Sequence, residues 1–347
     1  MPVEPTPTHP PPATALEPVS PLQEPHPLLL TEQGYTKVRE LALRQLNRFI
    51  SYEAKVLKGD DAEAIHDMRV ASRRLQQVLD LLYAKPRPPE LRRLRRQIRR
   101  CRRALGEVRN CDVLLDLVGR SLSRKRSTRR EAWTAVHQFL LVRRSETFVR
   151  AVRKLGKINL AVLYVNLKGL LHQGKTHDHS LEPSHRPEGP EQTSFANDLR
   201  NALAATWSGF EDHVAESLRH ARPEAIHGAR ISAKRLRYLV EVLYEFKVEG
   251  TAETVSWLRR LQNHLGDWHD LEVLEQIMIE MVARPEFLRD HLPLAIDVER
   301  LILSNRERKA GFEKKYMGLA KESREMHRIK EWVSYLLASP SAAFTRG

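Results

Sequence analysis

Two stretches about half a chain apart read almost alike, and they decide the fold. Residues 64–75 are AIHDMRVASRRL, and residues 225–236 are AIHGARISAKRL. The alignment places His66 opposite His227. It also aligns three pairs of cations, which are Arg69 with Arg230, Arg73 with Lys234, and Arg74 with Arg235. Because each copy of an internal repeat is usually one structural unit, the repeat predicts two halves related by pseudo-two-fold symmetry.

Each copy has the pattern of an amphipathic helix. In the first copy the apolar residues recur at helical spacing, at Ile65, Met68, Leu75, Leu79 and Leu82. The opposite side carries a stripe of His66, Arg69 and Arg73 at i, i+3 and i+7. The second copy repeats the stripe with His227, Arg230 and Lys234, and continues through Arg237 and Tyr238. A solvated basic face is the simplest explanation of one such stripe. Solubility does not require the same histidine twice, so the stripes are predicted to face a ligand.

The composition indicates an all-α protein with a polyanionic partner. The 347 residues include 15 Gly and 6% aromatic residues, and no segment has the β-branched alternation of a strand. The formal net charge is +14, and Arg supplies most of the excess. Nucleic acid, an acidic membrane surface or a phosphate polymer would each suit such a charge. Arg is well suited to phosphate because its planar guanidinium donates two parallel hydrogen bonds.

The same features predict a cytoplasmic location. Cys101 and Cys111 are too few for a disulfide framework, and Cys101 falls on an apolar helix side where it would be a small core residue. No apolar run approaches the roughly 18 residues that span a bilayer, and residues 1–30 lack a secretory signal pattern.

The chain divides by composition into five segments. Residues 1–30 are predicted to be a disordered proline-rich tail, 31–172 the first half, 173–193 a linker, 194–338 the second half and 339–347 a flexible C-terminus. The first half is predicted to contain helices near 31–58, 62–84, 90–105, 110–123, 127–155 and 157–172. The second is predicted to contain helices near 195–219, 223–246, 252–265, 268–283, 286–318 and 320–338. Asp60 and Asp61 are positioned to cap the helix that begins at 62.

The predicted helix 90–105 is the most basic part of the chain, with eight Arg. One stripe consists of Arg92, Arg96, Arg99 and Arg103, and Arg100 lies beside it. So many like charges on one helix repel one another, which a bound polyanion would relieve. The alternative is a nuclear-localisation or generic nucleic-acid patch, but the apolar residues at helical spacing favour a packed helix.

A second repeat follows this helix. Residues 105–114 are LGEVRNCDVL, and residues 265–274 are LGDWHDLEVL. The glycine of each copy is placed as a helix C-cap, and Asn110 and Asp270 are expected to orient the corner or to pair with a neighbouring Arg. Upstream of the second copy, Arg259 and Arg260 occupy the register of Arg99 and Arg100, and His264 replaces Ala104. Arg109, Arg259, Arg260 and His264 therefore join the candidate ligand-binding residues.

With both repeats in the same order, residues 33–338 resemble the CHAD family of α-helical domains named for their histidines. The resemblance implies two four-helix-bundle halves, a basic groove, binding of inorganic polyphosphate and location at polyphosphate granules. It also implies that the ligand-facing residues are His66, Arg69, Arg73 and Arg74 together with His227, Arg230, Lys234 and Arg235. Lys234 stands where Arg is expected, and Asn110 where Asp is more frequent. Many relatives carry a triphosphate-processing CYTH domain with an ExExK signature. This sequence has no ExExK, so a binding module without an enzymatic companion is expected.

The leading hypothesis is therefore a non-catalytic polyphosphate-binding protein without cofactor or metal. Nucleic-acid or generic polyanion binding is the alternative, although few aromatic residues interleave with the basic stripes to stack on bases. A phosphate-processing or metal-dependent enzyme is a third reading. It is disfavoured because the chain has no P-loop, no HExxH motif and no acidic cluster suited to Mg²⁺. His66 and His227 sharing a metal is disfavoured as well, since the Arg at i+3 of each would repel it.

Overall fold

The computed structural model describes residues 32–83, 86–124, 129–172, 195–321 and 323–338, and within them it contains α-helices and no β-strand. The all-α prediction is confirmed. The helices are α1 (Glu32–Ser51), α2 (Glu53–Lys58), α3 (Ala62–Leu82), α4 (Pro89–Ala104), α5 (Gly106–Leu122), α6 (Arg130–Leu155), α7 (Leu160–His172), α8 (Phe195–Arg219), α9 (Pro223–Glu245), α10 (Thr251–Val282), α11 (Pro285–Asp290), α12 (Leu292–Lys321) and α13 (Arg324–Ala338). The predicted tail 1–30, linker 173–193 and C-terminus 339–347 lie outside the described residues.

Local sequence explains where α3, which carries the first stripe, begins. Gly59 has a φ of 82° and ends α2, and a Cβ at this position would overlap the ring of Phe148. The Asp61 carboxylate then accepts a hydrogen bond of 2.8 Å from the backbone N–H of Ala64. This contact satisfies one of the free N–H groups at the helix start, so the predicted aspartate cap is confirmed.

Helices in the two parts of the chain pack in the same order. In the first part α1 packs on α3 and α7, and α5 packs on α6. In the second part α8 packs on α9 and α13, and α10 packs on α12. The stripe helices α3 and α9 also contact each other, which places both repeated stretches at the centre of the molecule.

The core is continuous across the two parts. The larger apolar cluster includes Leu75 and Leu79 of α3 together with Leu236 and Leu239 of α9. A smaller cluster joins α5 and α6 to α10 and α12. Cys101 and Cys111 are both buried free thiols, and the prediction that Cys101 is a core residue is confirmed.

The predicted break at the second LG motif is wrong. Residues 252–265 and 268–283 belong to the single helix α10, which passes through Gly266 without interruption. Buried Leu265 and Trp268 pack on both sides of this glycine, so tertiary contacts carry the helix through it. In the first half the chain does bend, but at Leu105 (φ −81°, ψ 1°). Gly106 is the first residue of α5 rather than a left-handed C-cap.

Two other predicted helices are interrupted. The segment 31–58 divides at Tyr52 into α1 and α2. The segment 286–318 divides at His291 (φ −139°, ψ 42°) into α11 and α12. Pro293 lies in the first turn of α12, where its missing N–H removes no helical hydrogen bond.

Over the part of the chain that is described, none of the helices is both long and apolar enough to span a lipid bilayer.

Candidate functional site

The two stripes lie close together where α3 contacts α9, and we call the region between them the cleft. The charge of Arg230 on α9 lowers the pKa of Arg69 on α3, and the charge of Arg73 on α3 lowers the pKa values of Arg230 and Lys234 on α9, so the four side chains lie close together. Arg102 of α4 lies in the same place, near Arg69 and Arg73. We call Arg69, Arg73, Arg102, Arg230 and Lys234 the cation cluster.

A set of hydrogen bonds positions the part of the cluster contributed by α3 and α4. The guanidinium of Arg69 donates to the backbone carbonyl of Arg102. Arg102 Nη1 donates to Gln76 Oε1 at 2.6 Å, and Gln76 Nε2 donates to the carbonyl of Arg95 at 3.0 Å. Arg95 is buried and forms an ion pair of 2.6 Å with Asp80. Arg95 therefore joins α4 to α3, whereas Arg102 contributes a cation to the cleft.

The cluster is half-buried, and among the described residues none of its cations forms an ion pair. Burial, followed by the charges of Arg73 and Arg102, lowers the pKa of Arg69 to about 9. Burial and the charge of Arg73 lower the pKa of Arg102 to about 10. Burial and the charge of Arg230 hold the pKa of Lys234 well below its ordinary value. Among the residues described by the structure, no carboxylate oxygen lies within 4.0 Å of these five side chains. A bound anion would relieve this repulsion.

Three histidines border the cation cluster. Burial and the charge of Arg109 lower the pKa of His66, and burial with Arg230 lowers the pKa of His227. Burial and the charge of Arg230 lower the pKa of His269 to about 3, and its ring centre lies 5.4 Å from that of His227. Each imidazole is therefore mainly neutral at pH 7 and can donate one N–H to an anion.

Asp270 is an acid beside the second stripe. Burial raises the pKa of its carboxyl to about 6, although Arg230 and Lys234 oppose the rise. It forms no ion pair within 4.0 Å among the described side chains, so the expected pairing with Arg is a longer-range attraction. The first half has the neutral Asn110 at the equivalent position.

Several predicted site residues are paired elsewhere. Arg74 lies 3.0 Å from one carboxylate oxygen of Glu241, and Arg237 lies 3.4 Å from the other. Arg260 lies 3.3 Å from Glu325 on α13. The ring of His264 packs near Phe312, with ring centres 6.4 Å apart. These four residues are therefore not members of the cation cluster.

The remaining candidates surround the cluster or lie at the surface. On α4, the predicted residues Arg92, Arg96, Arg99, Arg100 and Arg103 are all exposed, as is Arg93. Arg99 and Arg103 lie near enough to Arg102 to lower its pKa. Arg109 is half-buried, with Nη1 3.6 Å from Glu63. Arg235 and Arg259 are exposed, whereas Tyr238 is buried beneath the Arg237 guanidinium at 5.1 Å.

Sequence reasoning missed Arg102 and His269. A signal existed for both. Arg95 and Arg102 are seven residues apart, and this spacing places both on the face of α4 that lies against α3. His269 occupies the position of Arg109 in the second repeat. As for metals, the described chain contains no group of three or more His, Cys, Asp or Glu arranged to hold an ion.

Comparison with known proteins agrees with this architecture. The chain is similar to the crystal structure of the CHAD domain from the plant Ricinus communis, with a TM-score of 0.62 and 20% identity over 84% of this chain and 92% of that one. It is also similar to PptA from Streptomyces chartreusis, with a TM-score of 0.59 and 14% identity over 83% and 99%. At these identities the two structures bear on the fold alone. No curated protein sequence matches the chain.

The family is settled by sequence. The model of the CHAD domain matches residues 40–278, a range that contains the cation cluster and both repeats. The chain belongs to the CHAD domain family.

Proposed function

We propose that the protein binds inorganic polyphosphate, without catalysis, in the cleft between α3 and α9. The observation that carries the proposal is the cation cluster, because five half-buried cations converge there and none forms an ion pair with a carboxylate of the described residues. A fold keeps such a repulsive group of charges at a cost in stability, and a multivalent anion offsets that cost.

The shape of the site favours a linear phosphate polymer. Arg69, Arg73 and Arg102 can each donate more than one hydrogen bond to phosphate oxygens, and Arg230 approaches from the opposite wall. The exposed arginines of α4 continue the positive surface away from the cleft. A chain of phosphates would therefore be held at its centre by the cluster and along its length by α4. A protein that binds this way would concentrate at polyphosphate granules.

A second candidate function is generic polyanion binding, which includes nucleic acids. The observation in its favour is the exposed row of arginines on α4, which would attract any polyanion. Against base recognition, Tyr238 is buried beneath Arg237 and presents no exposed ring for stacking.

Titration calorimetry separates the two functions. Long-chain polyphosphate, single-stranded DNA and duplex DNA would be titrated at about 0.15 M salt, where the Debye length is about 8 Å. We expect polyphosphate to bind at least tenfold more tightly than either DNA, and its affinity to fall as salt rises. Equal affinities for the three polymers would favour the generic polyanion function. Absence of polyphosphate binding would contradict the proposal.

A separate experiment tests whether the protein cleaves polyphosphate. Excess protein would be incubated with polyphosphate and Mg²⁺, and the polymer length and released phosphate would be followed by electrophoresis and a phosphate assay. We expect neither to change. Release of phosphate that disappears in the Arg69→Ala variant would instead show an enzyme.

A further inference from the structure

The register of the two repeated helices places one further cation beside the cation cluster on each wall of the cleft. On α3, Arg74 follows Arg73 directly, and on α9, Arg237 lies one helical turn beyond Lys234. The charge of Arg237 contributes to the lowered pKa of Lys234, so its guanidinium lies near the cluster. Arg74 and Arg237 would therefore lengthen the cluster along the cleft if both were free of carboxylates.

A single carboxylate, that of Glu241 on α9, holds both arginines. Arg74 Nε donates a hydrogen bond of 3.1 Å to Glu241 Oε2, and Arg74 Nη2 lies 3.0 Å from the same oxygen. Arg237 Nε lies 3.4 Å from the other oxygen, Oε1. Glu241 thus ties α3 to α9 and partly neutralises one arginine from each wall.

The first half carries an acid at the same register, but that acid has a different partner. Asp80 is the counterpart of Glu241 in the alignment of the two stripe helices. Asp80 forms an ion pair of 2.6 Å with Arg95 of α4, within its own half. The residue equivalent to Arg95 in the second half is the buried Val255, so α10 offers no arginine at this position. The longer side chain of Glu241 reaches across to α3 instead.

Both arginines remain accessible to an anion. The side chain of Arg74 is 31% exposed and that of Arg237 is 19% exposed. A guanidinium without a carboxylate partner would donate its hydrogen bonds to phosphate oxygens. The pairing with Glu241, rather than complete burial, is therefore what separates these two arginines from the cation cluster.

We propose that Glu241 bounds the polyphosphate site, because it holds Arg74 and Arg237 in ion pairs and so keeps them from contacting the polymer. The carboxylate limits the number of phosphate groups that the cleft contacts, and its negative charge repels the polymer at this end of the cation cluster. This inference rests on the proposed polyphosphate function and adds the residue that sets the extent of the site.

Calorimetry with long-chain polyphosphate tests the inference on the full chain and two variants, Glu241→Gln and Glu245→Gln. Both substitutions remove one negative charge at nearly constant volume. Glu245 lies one turn beyond Glu241 and pairs at 3.0 Å with the exposed Arg44 of α1, so Glu245→Gln is the matched control. We expect Glu241→Gln to bind polyphosphate about tenfold more tightly, as one added charge-assisted hydrogen bond would allow. The control should change the affinity less than about twofold.

The salt dependence of binding shows whether the polymer gains contacts. For nucleic acids, each phosphate contact adds about 0.7–0.9 to the slope of log K against log salt concentration. We expect the same increment for each arginine that Glu241→Gln frees. A gain in affinity with an unchanged slope would mean that the polymer already displaces Glu241 in the parent chain, and it would overturn the inference.

Other outcomes separate the inference from the proposed function. Loss of an ion pair between α3 and α9 predicts unchanged or weaker binding, so a purely structural role of Glu241 would not give tighter binding. An affinity gain no larger than that of Glu245→Gln would overturn the inference, and polyphosphate binding would stand. Absence of polyphosphate binding by the parent chain would overturn both.

Two neighbouring arginines give a second test that leaves Glu241 in place. Arg73 and Arg74 are adjacent on α3, and of the two Arg74 is the one paired with Glu241. We expect Arg73→Gln to weaken polyphosphate binding at least about tenfold and Arg74→Gln to weaken it less than about threefold. Circular dichroism checks that both variants are folded. Equal losses in the two variants would overturn the inference, because Arg74 would then contact the polymer in the presence of Glu241.

Discussion

The two walls of the cleft share a register but differ in charge. On the first wall, α3 is joined by Arg102 and Arg109, and the position equivalent to Asp270 is the neutral Asn110. On the second wall, Gln262 replaces Arg102, His269 replaces Arg109, and the Asp270 charge acts on Arg230. The side-chain amide of Gln262 donates a hydrogen bond of 2.8 Å to the backbone carbonyl of Ala233. The repeated stripe thus sets where cations lie, and the neighbouring helix sets how strongly each wall attracts an anion.

Truncation of the two central arginines should have the largest effect. Arg69→Ala with Arg230→Ala should weaken polyphosphate binding by more than about 100-fold, because each removes charge-assisted hydrogen bonds worth about 1.5–3 kcal/mol. Arg69→Ala alone should cost more than Arg230→Ala, since Asp270 already offsets part of the Arg230 charge. Calorimetry measures both, with circular dichroism as a check on folding. The matched control is Arg153→Ala with Arg328→Ala, which removes two exposed arginines from α6 and α13. Equal losses of polyphosphate affinity in the two single variants would contradict the expected difference between the two walls.

His269 should make the second wall sensitive to acid. The folded-state pKa of about 3 lies below the unfolded value of about 6.5, so the fold favours the neutral ring. The contribution of His269 to the free energy of unfolding is therefore fully present above pH 6.5, and it decreases as the pH falls toward 3. At pH 5 the loss is about 2 kcal/mol, from 1.36 kcal/mol per pH unit. His269→Gln should abolish this loss in denaturant unfolding at pH 7.5 and pH 5, whereas the exposed His220→Gln should not. A variant that remains as acid-sensitive as the parent would contradict the assignment.

Asp270→Asn makes the second wall resemble the first. The carboxyl has a pKa of about 6, so it is ionised and repels a polyanion above that pH and is neutral below it. We expect about fivefold tighter polyphosphate binding at pH 7.5, which corresponds to about 1 kcal/mol at an effective dielectric constant near 20 with salt screening. No change is expected at pH 5. The same gain in polyphosphate affinity at both pH values would contradict this role of the Asp270 charge.

Substitution of the two LG-motif glycines, Gly106 and Gly266, should change stability and binding the least of these variants. A Cβ at Gly266 would have no neighbour within 4 Å, so Gly266→Ala should stabilise α10 by about 0.5–1 kcal/mol. At Gly106 the Cβ would lie 3.4 Å from the Arg69 guanidinium. Gly106→Ala should therefore gain less stability and slightly weaken polyphosphate binding by displacing Arg69. Thermal unfolding and calorimetry of both variants would show whether the glycines differ in this way.

Features that depend on interactions between neighbouring residues could be predicted from the sequence, whereas features that depend on contacts between distant residues could not. Helices α3, α8 and α9 match the predicted ranges to within two residues, because apolar periodicity and the Asp61 cap are local signals. The continuity of α10 was missed because Leu265 and Trp268 are held by packing partners that lie far away in sequence. Arg74 and Arg260 were included in the site because a basic residue in the right register gives no sign of a distant Glu241 or Glu325.

The sequence by itself determined the all-α class, the repeated stripes and the family, since these depend on residue order and helical period. Only the tertiary structure decided that Arg102 joins the cation cluster while Arg95 pairs with Asp80, although both lie on the same face of α4. It also decided that Arg74 is neutralised across the α3–α9 contact while Arg73, its neighbour in sequence, is not. The physical reason is that an ion pair depends on which carboxylate the fold brings within a few ångströms, and helical periodicity does not contain that information.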